Sequence, residues 1–181
     1  MNRLPQNFGL DKYGLNVRLV NEDDADFIVK LRTNPRLSKF IHATDNDIEK
    51  QKQWIRNYKL REKDGIEYYF VYLYNGERIG VNRIYSIHDM YATGGSWVCK
   101  PDINVEQSIS TMLIERDILF EILNLNEDKF DVRKGNTHVI KMHKMLGACI
   151  NSEDDLNYYF RLDKDTYLKN RSKLIRLLNL Q

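Results

Sequence analysis

Residues 66–87 constrain this chain more than any other stretch. Ile66 to Tyr74 is almost unbroken apolar and aromatic sequence, carrying Tyr68, Tyr69, Phe70, Val71, Tyr72 and Leu73. Asn75-Gly76 follows, the dipeptide that suits a two-residue hairpin turn in which both central residues need positive φ. Arg78 to Ile87 then reads as the returning strand. Side chains alternate between the two faces of a strand. A strand apolar on both faces must therefore lie in a sheet covered on both sides. With 181 residues the chain is long enough for one domain that provides such cover. A domain of this size buries roughly 70% of the surface its unfolded chain exposes, so it needs no metal or disulfide staple.

The rest of the chain supplies the covering layers. Residues 1–14 read as an irregular arm ending at Gly14, and Leu15 to Val20 as a strand. Asn21 is placed to cap a helix with Asp24 at its third position, and Ala25, Ile28, Val29 and Arg32 share one face of it. Asn34-Pro35 breaks that helix. Thr44 is the expected cap of the next, which carries Ile48, Trp54, Ile55 and Tyr58 and ends near Asp64-Gly65. Gly94 to Lys100 is a further strand, closed by Pro101. Residues 105–123 are helical by period, with Ile109, Met112, Leu113, Leu119, Phe120 and Leu123 as the apolar stripe. Lys129 to Arg133 is a short strand. Asn136 opens a helix bearing Val139, Met142, His143 and Leu146, which Gly147 ends. Tyr158 to Leu162 is the last strand. This order predicts an α+β layered domain over residues 15–164 with helices on both faces. Residues 165–181 form a basic amphipathic segment with Leu168, Leu174, Ile175, Leu177 and Leu178. Such a stripe packs either on its own domain or in a homodimer.

Several classes are disfavoured. The net charge of +2 gives no whole-chain case for nucleic acid or membrane binding. Cys99 and Cys149 have neither metal-ligand spacing nor the density of a disulfide framework, and read as reduced thiols. No metal site is expected. The first residues lack the apolar core of a signal peptide, and no run reaches the ~20 apolar residues of a membrane span, so the expected compartment is the cytoplasm.

Three segments carry a resemblance. Gly95-Ser-Trp-Val-Cys-Lys-Pro101 runs into a helix; Lys129-Phe-Asp-Val-Arg-Lys-Gly-Asn136 is a strand leading to an Asn at a helix start; Asn136-Thr-His-Val-Ile-Lys-Met-His-Lys-Met-Leu-Gly-Ala148 is the helix that follows. Together with the element order they resemble GNAT acyltransferases, whose corresponding helix reads Asn-x-x-Ala-x-x-Leu-Tyr-x-x-x-Gly-Phe. Asn136 and Gly147 match that pattern in register, and His143 stands where many members carry Tyr. One segment departs from the family: its glycine-containing phosphate loop corresponds here to Asn104-Val-Glu-Gln-Ser-Ile109, which has no glycine.

The resemblance implies a central mixed, mostly antiparallel sheet, acetyl-CoA as co-substrate, and transfer of its acetyl group to a primary amine. It implies cofactor contacts at Trp97, Val98 and Cys99 on the strand that meets the pantetheine arm. Further contacts are implied at Asn104, Val105, Gln107, Ser108, Ile109 and Ser110 around the helix start, and at Asn136 and His143. His143 would sit near the thioester sulfur, where an imidazolium protonates the leaving thiolate; the plainer reading is a core histidine. Asn136 is a helix cap or a cofactor ligand, and Trp97 a core residue or part of the site. Arg32, with Arg36 and Lys39, is either a solvated basic surface or a clamp on an anionic acceptor, and Trp54 borders the acceptor or packs in the core. Glu67, His88 and Asp89 are candidate bases. The likeness extends to members that act on amino sugars, to those that acetylate protein N-termini, and to a degenerate domain that binds acyl-CoA or a partner without catalysis.

Overall fold

A computed structural model describes residues 2–180; Met1 and Gln181, the outer ends of the expected arm and of the expected C-terminal segment, lie outside the described residues. Eight strands form one sheet: β1 (Gly9–Lys12), β2 (Leu15–Leu19), β3 (Tyr68–Tyr74), β4 (Glu77–Tyr85), β5 (Tyr91–Cys99), β6 (Glu127–Arg133), β7 (Cys149–Glu153) and β8 (Asn157–Asp163). Their order across the sheet is β1-β2-β3-β4-β5-β6-β8-β7. Every neighbouring pair is antiparallel except β5 and β6, which run parallel and pair only at Tyr91↔Glu127 and Ala92↔Asp128. Five helices accompany the sheet: α1 (Ala25–Thr33), α2 (Ile48–Lys63), α3 (Val105–Asp117), α4 (Thr137–Met145) and α5 (Lys164–Leu177).

The doubly apolar strand explains the layering. Tyr68, Phe70 and Tyr72 of β3 enter one core with α3, α4 and α5, while Tyr69 and Val71 enter a second core with Ile28 and Leu31 of α1 and Ile55 and Tyr58 of α2. Asn75 and Gly76 have φ of +49° and +81°, the left-handed pair that the β3–β4 turn requires. α3 lies deepest: Ile109 through Asp117 are all buried. It continues as a π-helical turn over Ile118–Ile122, so the predicted helix over 105–123 is α-helical in its first part only.

Three local expectations change. The N-terminal residues are not irregular throughout: β1 folds back on β2 through Tyr13 and Gly14, both at positive φ. Four residues with an exposed, polar pattern carry too little periodicity to be read as a strand. α2 starts at Ile48, not behind Thr44, because the Asp47 side chain accepts from Lys50 N at 3.0 Å; the Thr44 hydroxyl instead accepts from Arg32 Nε at 2.7 Å. β7 is an added edge strand, exposed along its whole length.

Asp117, buried at the end of α3, ties the two ends of the chain to the centre. It accepts from Tyr13 Oη at 2.8 Å and Tyr167 Oη at 2.7 Å, pairs with Lys12 Nζ at 2.6 Å, and takes a short bond from Arg171. Burial, and then the Asp117 charge, raise both tyrosine hydroxyls above their usual range, so both stay protonated as donors. Tyr167 and Leu174 sit in the larger core and Leu168, Ile175 and Leu178 pack against it, so the C-terminal stripe docks on its own domain, with Leu177 left exposed. Asp117→Ala orphans these donors and is expected to lower the unfolding free energy by about 3 kcal/mol in urea titrations. A loss within experimental error would show that the ends are held by apolar packing alone.

Candidate functional site

The site begins where the sheet opens. Beyond Ala92 and Asp128, β5 and β6 stop pairing and diverge. On the opposite side of β5 the ladder with β4 is irregular: Val81 faces Val98 and Arg83 faces Gly95, so Ser96 and Trp97 together oppose Asn82. Two residues against one is a bulge, which leaves backbone groups outside the ladder. Ser96 at the bulge has φ of +54°. The gap holds a cavity of about 140 Å³ lined by Asn82 and Tyr85 of β4, Gly94 to Trp97 of β5, Glu115 and Arg116 of α3, Phe130 to Arg133 of β6, and Asn136, Val139 and His143.

A buried polar group lies at the apex of this opening. Asp128 accepts from Gly94 N through Oδ1 at 2.9 Å, and its Oδ2 lies 3.0 Å from Arg116 Nη2. Arg116 Nη1 donates to Glu115 Oε2 at 3.0 Å, and Nη2 lies 3.3 Å from His143 Nδ1. Arginine only donates, so Nδ1 accepts and Nε2 carries the imidazole proton. His143 is packed 4.4 Å from the Phe130 ring. Burial, and then the Arg116 charge, hold its pKa well below the ordinary value. The imidazolium expected from the sequence therefore does not form at neutral pH: His143 faces the cavity as a neutral imidazole with an N–H to donate. Burial pushes the Glu115 carboxyl up to about 8, with Arg116 opposing and Asp128 adding.

A groove of about 500 Å³ leads away from this cavity. It brings together Trp97, Val98, Cys99, Asn104, Val105, Ser108, Ile109 and Asn136, and it shares Trp97, Asn136 and Val139 with the cavity. Arg36 and Lys100 line it and no carboxylate does; Glu106 at the helix start stays outside. Two expected contacts lie elsewhere. Ser110 is buried on α3, and Gln107 is held in a capping box, its N–H donating to Asn104 Oδ1 at 2.7 Å and its side chain accepting from Asn104 N at 3.1 Å. That box replaces the expected set of free amides at the helix start with a partly self-satisfied one. Asn136 stands at the start of α4 but its side chain makes no capping bond, which leaves it free for a ligand. Trp97 donates from Nε1 to Thr111 Oγ1 at 2.9 Å, fixing the ring over α3. Burial pushes the Cys99 thiol up to about 11, so it lines the groove as an inert group.

On the other side, a recess of about 360 Å³ shares Arg32 and Ser96 with the central cavity and is lined also by Thr44, Asp45, Asp47, Lys50, Trp54, Tyr69 and Arg83. Trp54 stacks on Tyr58 at 5.7 Å with an interplanar angle of 6°, and the Arg83 guanidinium lies 5.0 Å over it. Arg32 and Trp54, proposed from sequence, thus meet across one recess, whereas Arg36 belongs to the groove and Lys39 is exposed. The candidate bases do not meet here. Glu67 is paired with Arg61 and Arg83, His88 stacks on Tyr91, and neither these two nor Asp89 lines the cavity. Sequence reasoning missed Asn82, Tyr85, Glu115, Arg116 and Asp128. The one available signal was Glu115-Arg116-Asp117, three charges in a row inside an apolar helix.

One solved structure, described as apo FdhC, a nucleotide-linked sugar GNAT, is 36% identical, matches 95% of this chain and 99% of its own, and superposes with a TM-score of 0.85. The chain belongs to the GNAT family of acyltransferases. Two further GNAT folds have low identity. A ribosomal-protein-S5-alanine acetyltransferase from Vibrio fischeri is 16% identical over 89% of this chain and 99% of its own, with a TM-score of 0.75. A spermidine N-acetyltransferase from Vibrio cholerae, in complex with CoA and spermine, is 18% identical over 86% and 98%, with a TM-score of 0.73. No family model and no curated protein matches the sequence. Among the described residues of this GNAT domain no group of three His, Cys, Asp or Glu side chains is placed to hold a metal, and no helix is long and apolar enough to cross a membrane.

The state of His143 has a measurable consequence. A histidine kept neutral in the fold takes up its proton on unfolding below about pH 6.5. The unfolded state then binds more protons, so stability is fully present above that pH and falls as pH drops below it. His143→Gln should flatten this slope in urea midpoints measured between about pH 5 and pH 7. An unchanged slope would place the acid-sensitive group elsewhere.

Proposed function

We propose that this domain transfers an acetyl group from acetyl-CoA to a primary amine of a nucleotide-linked amino sugar. The observation that carries this reading is the continuity of three spaces: a groove without carboxylates, the cavity at the strand opening, and a recess in which Arg32 stands beside the ion-paired Lys50–Asp45 and Arg83–Glu67, with Asp47 also in its wall. The groove suits a polyanion with a long neutral arm. Its residues Trp97, Val98, Cys99, Asn104, Val105, Ser108, Ile109 and Asn136 hold the cofactor, with the thioester in the central cavity. The recess pairs an aromatic wall, Trp54 and Tyr69, with guanidinium groups, a combination that suits a base and a diphosphate. The 36% identity to a nucleotide-linked sugar GNAT supports that choice of acceptor over peptide N-termini or polyamines.

The residues divide the work as follows. The amine approaches from the recess and attacks the thioester carbonyl, so holding both partners in line supplies much of the rate. Backbone N–H groups at the Ser96–Trp97 bulge stabilise the oxyanion that develops there. His143 acts as a neutral N–H donor close to the sulfur, in place of the imidazolium. The bound acetyl-CoA supplies the activated acyl group.

A second reading, a domain that binds acyl-CoA without transfer, has one observation in its favour: the glycine-free, self-capped start of α3. Release of free thiol from acetyl-CoA separates the two, measured with UDP-glucosamine, spermidine and an alanine-initiated peptide. The nucleotide sugar is expected to turn over fastest. Thermal stabilisation by acetyl-CoA without thiol release would favour binding alone, and no stabilisation at millimolar acetyl-CoA would remove both readings. Arg32→Ala should raise KM for the nucleotide sugar by roughly 10-fold or more, the loss of one charge-assisted hydrogen bond, while kcat changes little. An equal effect on glucosamine, which lacks the diphosphate, would argue against that role.

A further inference from the structure

Glu115 is a costly residue in this fold. It is a carboxylate on the most buried helix, 2% exposed, and it lines the central cavity. Its Oε2 is bonded to Arg116, but Oε1 is buried without a hydrogen-bond partner. Leaving a buried carboxylate oxygen unpaired is strongly unfavourable unless something else meets it. The chain opposite is shaped to allow it: a Cβ at residue 94 would overlap Glu115 Oε1, and only glycine there leaves the carboxylate its place beside the cavity.

The charges around it are unbalanced. Arg116 on the same helix is the cation paired with it, and it faces two carboxylates, Glu115 and Asp128 of β6, while Arg32 of α1, His42 and Arg133 of β6 also line the cavity. His143 of α4 accepts from Arg116 and is neutral. Burial raises the hydroxyls of Tyr72 of β3 and Tyr85 of β4 toward the protonated form, and the Glu115 charge adds to it. With both carboxylates ionised the group carries one excess negative charge, and with one proton bound it is neutral. Burial favours the neutral form, which is why the Glu115 carboxyl holds its proton near neutral pH.

We propose that Glu115 is the catalytic residue that receives the acceptor ammonium in the central cavity and takes its proton. This rests on the acyl-transfer reading above. The ammonium N–H bond breaks and Glu115 Oε1 becomes protonated, which frees the nitrogen lone pair. That pair forms the C–N bond at the thioester carbonyl. As the tetrahedral adduct collapses, the C–S bond breaks, the sulfur leaves with the bonding pair, and it takes the second proton shed by the nitrogen. The amide keeps one N–H, coenzyme A leaves as the thiol, and Glu115 returns its proton to solvent once the cavity empties. Asp131 also lines the cavity but is exposed. Water competes for its charge, whereas Glu115 has none to satisfy it.

The test reads protons directly. Near pH 7 a protonated Glu115 and a protonated amine together bring two protons to a site that has room for one. Binding of UDP-glucosamine to the coenzyme A-loaded protein should therefore release about one proton, read by calorimetry in two buffers of different ionisation enthalpy. Glu115→Gln, which preserves volume and can still accept from Arg116, should release none. It should lower kcat/KM by about 10²–10⁴-fold near neutral pH. The deficit against wild type should shrink as pH rises and the amine becomes free base, while coenzyme A affinity holds. Gly94→Ala displaces the carboxylate without altering it, and should give the same pH-dependent deficit if the first variant fails to fold. Acetylation of the sugar without proton release, or a deficit equal at every pH, overturns the role of Glu115 and leaves the acyl-transfer reading standing. If wild type turns over none of the three amines, that reading fails, and the proposal falls with it.

Discussion

The two halves of the sheet meet at a parallel seam only two residue pairs long, and Asp128 holds it. One carboxylate oxygen takes the Gly94 N–H of β5, and the other faces the guanidinium of Arg116 on α3. β6, β5 and α3 are thereby fixed at one point, and the strands separate beyond it. Everything the site uses depends on that separation: the cavity between the strands, the groove along α3 and α4, and the recess toward α1 and α2. A fully paired seam would fill the gap with backbone hydrogen bonds and leave no cavity there. A seam without the buried carboxylate would have nothing to keep the opening at a fixed width.

Electrostatics divides the three spaces into different jobs. The groove carries Arg36 and Lys100 and excludes acids; the recess carries Arg32, Lys50 and Arg83 together with Asp45 and Asp47; the cavity between them has the buried carboxylates at its apex. On the proposed reading, the anionic parts of two substrates go to the flanks and the amine to the middle. The self-capped start of α3 fits this division. Asn104 and Gln107 satisfy each other, so this helix end does not depend on a ligand for its order.

Much of the frame was legible before any coordinates. The β3–β4 hairpin announces itself through a doubly apolar run and Asn75-Gly76, and the strand–Asn–helix pattern at 129–148 places Asn136 and His143 at the site. β1 and β7 were not legible: both are short edge strands, β1 burying only part of Leu10 and Lys12 and β7 exposed throughout, so little apolar alternation marks them in sequence. Thr44 looked like a cap because residue type alone cannot tell which of two nearby side chains, Thr44 or Asp47, turns to the helix. The charge state of His143 was also out of reach, since it depends on burial in the assembled core and then on Arg116, 27 residues away. Asn82, Tyr85, Glu115 and Asp128 come from three different elements, and only the opening of the seam makes them neighbours. Their grouping is a property of the assembled sheet, for which no local periodicity exists.

The Asp117 junction also has a bearing on how the molecule is made. Tyr13 and Lys12 can reach α3 early in synthesis, but Tyr167 and Arg171 are polymerised 50 and 54 residues after Asp117. During that interval the buried carboxylate has half its partners, and the larger core lacks α5. The ribosome therefore releases a nearly complete sheet whose deepest helix is still uncovered on one side. Apolar surface on α3 is then exposed, the condition in which nascent chains most readily associate wrongly. Arrival of α5 closes both the charge and the core in one step, so this helix acts as the latch on a domain whose sheet and central cavity were laid down before it.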